Sequence, residues 1–200
     1  MNLTSATKIT RTKKAIRRSF LSLVKEKHVS SITVRELTEL AEINRSTFYA
    51  YYDSVEALGK EIETEMVESI IAFLDKYPVS TGAERERVLS GFLKMILDKD
   101  ENTVWIFSQN TYGLCEKRLL DYCKKRYSAI WREASGRTDA ELDIYFKMAY
   151  TSAFSFFGEI CSGKYKGDEK LLSSMFNDYM EAIFILMFDR DFIKSYKRSH

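Results

Sequence analysis

Apolar residues recur every three or four positions along most of this chain, the spacing of helices that bury one face. Ile16, Phe20, Leu23 and Val24 form the first such stripe and predict a helix over the N-terminal segment. Between residues 32 and 58 the pattern becomes short and punctuated. Thr33 and Glu36 have capping-box spacing and open a helix carrying Val34, Leu37 and Leu40, with Val34, Leu37 and Ala41 on the inward face. Ile43 fills the corner that follows, and Asn44 is a suitable N-cap for a second short helix over Arg45 to Tyr52. In that helix Phe48 and Tyr52 point inward, so Arg45, Ser46, Tyr49 and Ala50 are left facing outward.

The rest of the chain keeps the helical period. A long helix is expected from about Ser54 to Lys76, ended by Pro78 with Ser80, Thr81 and Gly82. Further helices are expected over 83–98, 101–111, 115–134, 138–162 and 168–189, with breaks at Gly113, Ser135-Gly136 and Gly163 to Gly167. The expected fold class is all-α with about nine helices. A three-helix helix-turn-helix unit over 1–53 would precede a helical unit over 54–200.

The outward groups of the second short helix suit a nucleic-acid duplex. Arg45 can fork onto a guanine edge, Ser46 and Tyr49 can exchange hydrogen bonds with base edges, and Ala50 can touch a thymine methyl. The hydroxyls of Thr33, Thr47 and Tyr51 and the ammonium of Lys60 suit phosphate oxygens. Charge points the same way. Residues 1–60 hold 11 Lys or Arg against 6 Asp or Glu, a net of +5, and the remaining 140 hold 20 against 23, a net of −3. Most of the excess comes from Lys8, Arg11, Lys13, Lys14, Arg17 and Arg18, and beside a helix-turn-helix it reads as a phosphate-facing surface.

The stretch carried by Thr33, Val34, Leu37, Ala41, Ile43, Asn44, Thr47, Phe48, Tyr49, Tyr52, Ser54, Glu56 and Leu58 resembles the N-terminal DNA-binding domain of the TetR family of bacterial transcriptional regulators. Two positions depart from the family pattern: Glu42 stands where Gly is usual, and Val55 where a phosphate-contacting Lys is usual. A non-Gly residue in a left-handed turn costs on the order of 1 kcal/mol, which a fold of this size absorbs. The missing Lys removes one cationic contact and weakens the expected salt dependence.

The last two helices carry more apolar surface than one core needs: Ile144, Phe146, Met148, Phe154, Phe156, Phe157 and Ile160 on one, Met175, Phe176, Met180, Ile183, Phe184, Leu186, Met187 and Phe188 on the other. The resemblance implies that they pair with those of a second copy in a four-helix interface, with Ala149, Ser152 and Ala153 allowing close approach. Phe73, Phe92, Met95, Trp105, Phe107, Tyr112, Tyr122 and Trp131 could line a cavity for a small apolar or aromatic effector, whose binding would alter the placing of two reading heads.

Other chemistry is poorly supplied. The cysteines, Cys115, Cys123 and Cys161, have no CxxC spacing, and the histidines, His28 and His200, lie far apart, so neither a metal site nor a cofactor is expected. His28 reads as a C-terminal cap on the first helix, not a catalytic base, and no nucleophile and base pair stands out, so no enzymatic activity is expected. The polar N-terminus lacks the apolar core of a signal peptide and no apolar run has membrane-spanning length, so a cytoplasmic location is expected. The sequence reads as a homodimeric, TetR-like DNA-binding regulator, a repressor released by a small molecule. The alternative is a TetR-like coactivator that works through a protein partner, with weak or no DNA binding of its own.

Overall fold

The computed structural model describes residues 3–76, 87, 90, 91, 93, 94, 97, 98, 101–108, 110–165 and 168–188. Every regular element among them is helical. In chain order these are α1 (Leu3–Glu26), a short 3-10 turn (Val29–Ser31), α2 (Val34–Leu40), α3 (Arg45–Tyr49), α4 (Val55–Asp75), α5 (Glu101–Ile106), α6 (Leu114–Ser135), α7 (Asp139–Cys161) and α8 (Glu169–Phe188). The described backbone at 87, 90, 91, 93, 94 and 97 is also helical, where the sequence predicts a helix over 83–98. Pro78 and its neighbours, expected to end the long helix, lie outside the described residues, as do Phe92 and Met95.

Local chemistry explains where the elements begin. Thr33 Oγ1 accepts from the Glu36 amide, and the Glu36 carboxylate accepts from the Thr33 amide at 3.0 Å, completing the expected capping box of α2. Thr138 and Glu141 repeat the device at α7, and Ser54 caps α4 by accepting from the Ala57 amide. Asn44 occupies the N-cap position of α3, but its side chain makes no capping hydrogen bond there. Lys27 donates to the Glu36 carboxylate, and with the Thr33 bonds it holds that carboxyl down to about 2 from an ordinary 4.5. Because the folded value lies below the unfolded one, the stabilisation is full above pH 4.5 and is lost as pH falls towards 2. Glu36→Gln is therefore expected to flatten this part of an acid-unfolding curve followed by circular dichroism, whereas an unchanged curve would mean the pair contributes nothing.

Two expectations are corrected in this region. α3 ends at Tyr49, short of Tyr52, because the Tyr51 amide bonds to Phe48 O at 2.9 Å and tightens the last turn, after which the chain extends to cap α4. His28 does not cap α1: it is the N-cap of the 3-10 turn, its ring accepting from the Ser30 amide.

α1 packs on α2 and α5, α4 on α5 and α6, α6 on α7 and α8, and α7 on both α5 and α8. One buried cluster runs from Ile16, Phe20 and Leu37 through Phe48, Val55 and Leu58 to Trp105, Phe157 and Phe176, crossing position 53 without a break. Phe20 meets Trp105 edge to face at 5.0 Å, so the N-terminal helices rest directly on α5. A smaller cluster, Tyr127, Leu142, Phe146 and Met187, holds the far ends of α6, α7 and α8 together. Close packing against backbone constrains Gly158, where a Cβ would lie 2.6 Å from the Phe107 carbonyl oxygen. Gly158→Ala should cost about 1–3 kcal/mol in denaturant titrations because backbone must move to admit it, and a neutral result would show that α7 slides freely.

Candidate nucleic-acid interface and effector cavity

The reading face is built by what α3 buries. Phe48 is fully buried against Tyr52, whose hydroxyl donates to Glu61 of α4 at 3.1 Å. That anchoring leaves Arg45, Ser46, Tyr49 and Ala50 exposed together on one short element. The entry into α3 is set by Glu42, whose φ of 53° is the left-handed value foreseen for this turn, held by the Glu42 amide bonding to Glu39 O and the Ile43 amide to Thr38 O.

The expected phosphate contacts are placed less uniformly. Thr47 and Tyr51 are half-buried, Thr33 Oγ1 already donates to Glu36 at 2.7 Å, and Lys60 pairs with Glu56 one turn back on α4. The basic residues of α1 divide by face. Lys13 pairs with Glu61 at 3.6 Å and lies over the Tyr52 ring, and Arg17 bonds Glu65, so both hold α1 against α4. Arg11, Lys14 and Arg18, spaced along one side of α1, stay exposed. Val55 is buried in the common core, so the position where the resembled pattern has a Lys serves packing here.

A half-open cavity of about 860 Å³ lies between the end of α5, the start of α6 and α7. Of the aromatic residues expected to line one, Phe107 and Tyr112 do, joined by Phe154. Four others are employed elsewhere. Trp105 is buried against Phe20, Trp131 stacks on Phe146 at 4.3 Å, Tyr122 donates to Asp75, and Phe73 covers Gly91. Much of the remaining wall is small and polar, from Ser108 and Thr111 to Thr151, Ser155 and Ser162, with the carboxylates of Glu116 and Glu159. Glu159 pairs with Lys164, just beyond the end of α7.

Two residues that the sequence did not single out tie this cavity to its surroundings. Glu63, fully buried on α4, accepts from the amides of Tyr112 and Leu114 at 2.5 and 2.8 Å. Asn110 accepts from the Val29 amide at 2.6 Å and donates to Val24 O and Lys27 O at 2.9 and 2.8 Å. A charged residue inside the apolar face of α4, between Ile62 and Val67, was the one signal for Glu63; Asn110 carried none.

Two of the cysteines, Cys115 and Cys123, show no activation. Burial pushes the thiol of Cys115 up to about 12 and that of Cys123 up to about 11. Among the described residues no cluster of His, Cys, Asp and Glu could hold a metal, and no helix is long and apolar enough to cross a membrane.

No protein-family model matches the chain, and no curated protein matches it significantly. Solved structures do. A crystal structure of a TetR transcriptional regulator from Streptococcus agalactiae 2603V is similar with a TM-score of 0.63 at 21% identity, over 88% of this chain and 97% of that one. At that identity the likeness establishes the fold.

Proposed function

We propose that this chain, which has the TetR regulator fold, is a homodimeric DNA-binding transcriptional regulator, a repressor released when a small molecule enters the cavity. The observation that carries the reading is the exposed set Arg45, Ser46, Tyr49 and Ala50, presented on a helix whose only buried residue, Phe48, fixes its rotation. Residues 1–53 would form the reading head and 54–200 the effector and dimerisation unit, working in the cytoplasm. The exposed apolar residues of α7 and α8 support a two-fold dimer, which would place two reading helices on successive half-sites of an operator. Thr33, Thr47, Tyr51 and Lys60 would hold phosphates, Thr33 and Lys60 after exchanging their present partners, alongside Arg11, Lys14 and Arg18. The cavity, apolar and aromatic on one side and rich in hydroxyl and carboxylate oxygens on the other, suits an aromatic molecule that carries hydrogen-bond donors.

Selection of duplexes from a random pool tests the reading. The protein should enrich a two-fold sequence. Arg45→Ala should then cost about 1–3 kcal/mol and relax preference at one base position, whereas Thr47→Ala should weaken all duplexes alike. Unchanged sequence preference in Arg45→Ala would reject this assignment of the reading face. A partner-dependent coactivator is the second reading. It is favoured by the pairing of Lys13, Arg17 and Lys60 with carboxylates and by the negative charge of Glu42 at the turn, all of which lower the cationic charge available to phosphates.

A further inference from the structure

We infer that the segment between α5 and α6 is the coupling element through which occupancy of the cavity reaches the reading head, with Asn110 and Glu63 as its positioning residues. The inference rests on the regulator reading above and specifies how that regulation operates.

The segment has two sides. Ser108, Thr111 and Tyr112 line the cavity. Asn110, between them, turns to the N-terminal helices, where its three bonds hold the last turn of α1 and the start of the 3-10 turn that leads into α2. Val24 O and Lys27 O are carbonyls freed by the end of α1, and the Asn110 amide supplies a partner to each. Its backbone is fixed in turn, because the Trp105 indole N–H donates to Asn110 O at 2.7 Å while Trp105 packs on Phe20 of α1. On the α4 side, the Glu63 carboxylate receives two amides at the start of α6. The Tyr112 ring lies so close to Gly59 that a Cβ there would come within 2.4 Å of it.

A molecule that displaces Tyr112 or Thr111 therefore works against contacts to α1, inside the reading head, and to α4, which follows it directly. Each contact is directional. An amide whose N–H groups move off Val24 O and Lys27 O leaves half-buried polar groups without partners, so the segment has a held arrangement and a released one, not a continuum. A ligand that fits only the released arrangement shifts the pair of states by its difference in affinity, and the same coupling loosens DNA binding.

Because no effector is identified, the cavity is filled by substitution. Val104→Trp on α5 and Glu116→Trp on α6 each place an indole in the cavity wall, outside the exposed apolar stripe of α7 and α8. With circular dichroism and sedimentation confirming a folded dimer, each should lower affinity for the selected duplex at least about tenfold. Each should also speed hydrogen exchange of the Val29 amide, the group held by Asn110, by a similar factor. Asn110→Ala should lower affinity by itself, and adding Val104→Trp to it should change affinity less than about twofold, because the connection is already cut. Multiplicative losses in the double variant, or filled cavities that leave Val29 exchange unchanged, would overturn the coupling. A wild-type protein that selects no duplex would overturn the regulator reading instead, and the exchange measurement would still decide whether the segment couples cavity to α1.

Discussion

Met148→Glu combined with Met175→Glu is expected to turn the protein into a folded monomer and to lower its affinity for a two-half-site duplex by about 10²- to 10⁴-fold. Ile144 and Met148 lie on one side of α7, 60% and 61% exposed, and Leu171, Met175 and Tyr179 follow one another along α8, with Leu171 and Met175 at 56% and 57%. Ser152 bonds Tyr179 across the two helices, so both stripes belong to one continuous surface. Apolar patches of this extent are uncommon on monomers, and a second copy of the same surface would cover them. Two glutamates at its centre would have to be desolvated without partners, which a protein interface does not tolerate. Each half-site would then be read by a single head, and the effective concentration supplied by the second head is lost. Sedimentation velocity and fluorescence anisotropy check both parts. A variant that remains dimeric would place the interface elsewhere, and a monomer that binds as tightly as the parent would remove the need for a dimer.

Phe48→Ala should have the largest effect on stability, about 3–5 kcal/mol. The side chain is fully buried and meets the rings of Tyr49 and Tyr52 at 5.6 and 5.8 Å. Its removal empties the space on which α3 is seated. Because the same buried cluster continues into α5 and α7, the loss should appear as one cooperative transition, lowered by roughly 6–20 °C, and not as separate melting of a small unit. Calorimetry distinguishes the two. A biphasic melt would mean that the N-terminal helices unfold independently of the rest.

The N-terminal helices were legible because their determinants are local. The Thr33–Glu36 capping box, the left-handed turn at Glu42 and the inward pair Phe48 and Tyr52 each depend on residues within about five positions, which a one-dimensional pattern can display. The end of α3 was less so, since the turn at Tyr51 competes with helix continuation by a single hydrogen bond.

The cavity was the least legible part. Trp105 and Trp131 occupy apolar helical positions just as Phe107 and Phe154 do, and nothing in spacing distinguishes a ring that packs on another ring from one that borders open space. The polar wall of Ser, Thr and Glu residues looked like ordinary helix surface. Asn110 gave no signal because its partners, Val24, Lys27 and Val29, lie more than eighty residues away, so its importance exists only once the chain has folded. Glu63 differs in that a carboxylate on the buried stripe of α4 demands donors, and its position alone announced that some backbone must come to meet it.

Whether this chain reads duplex DNA is decided by binding of the purified protein to the duplex upstream of its own gene and to a scrambled duplex, across a series of salt concentrations. A clear preference for the native duplex is expected, with affinity falling as salt rises because Arg11, Lys14, Arg18 and Arg45 displace counterions condensed on the phosphates. Equal and feeble binding to both duplexes at every salt concentration would contradict it and leave the partner-dependent coactivator as the better reading.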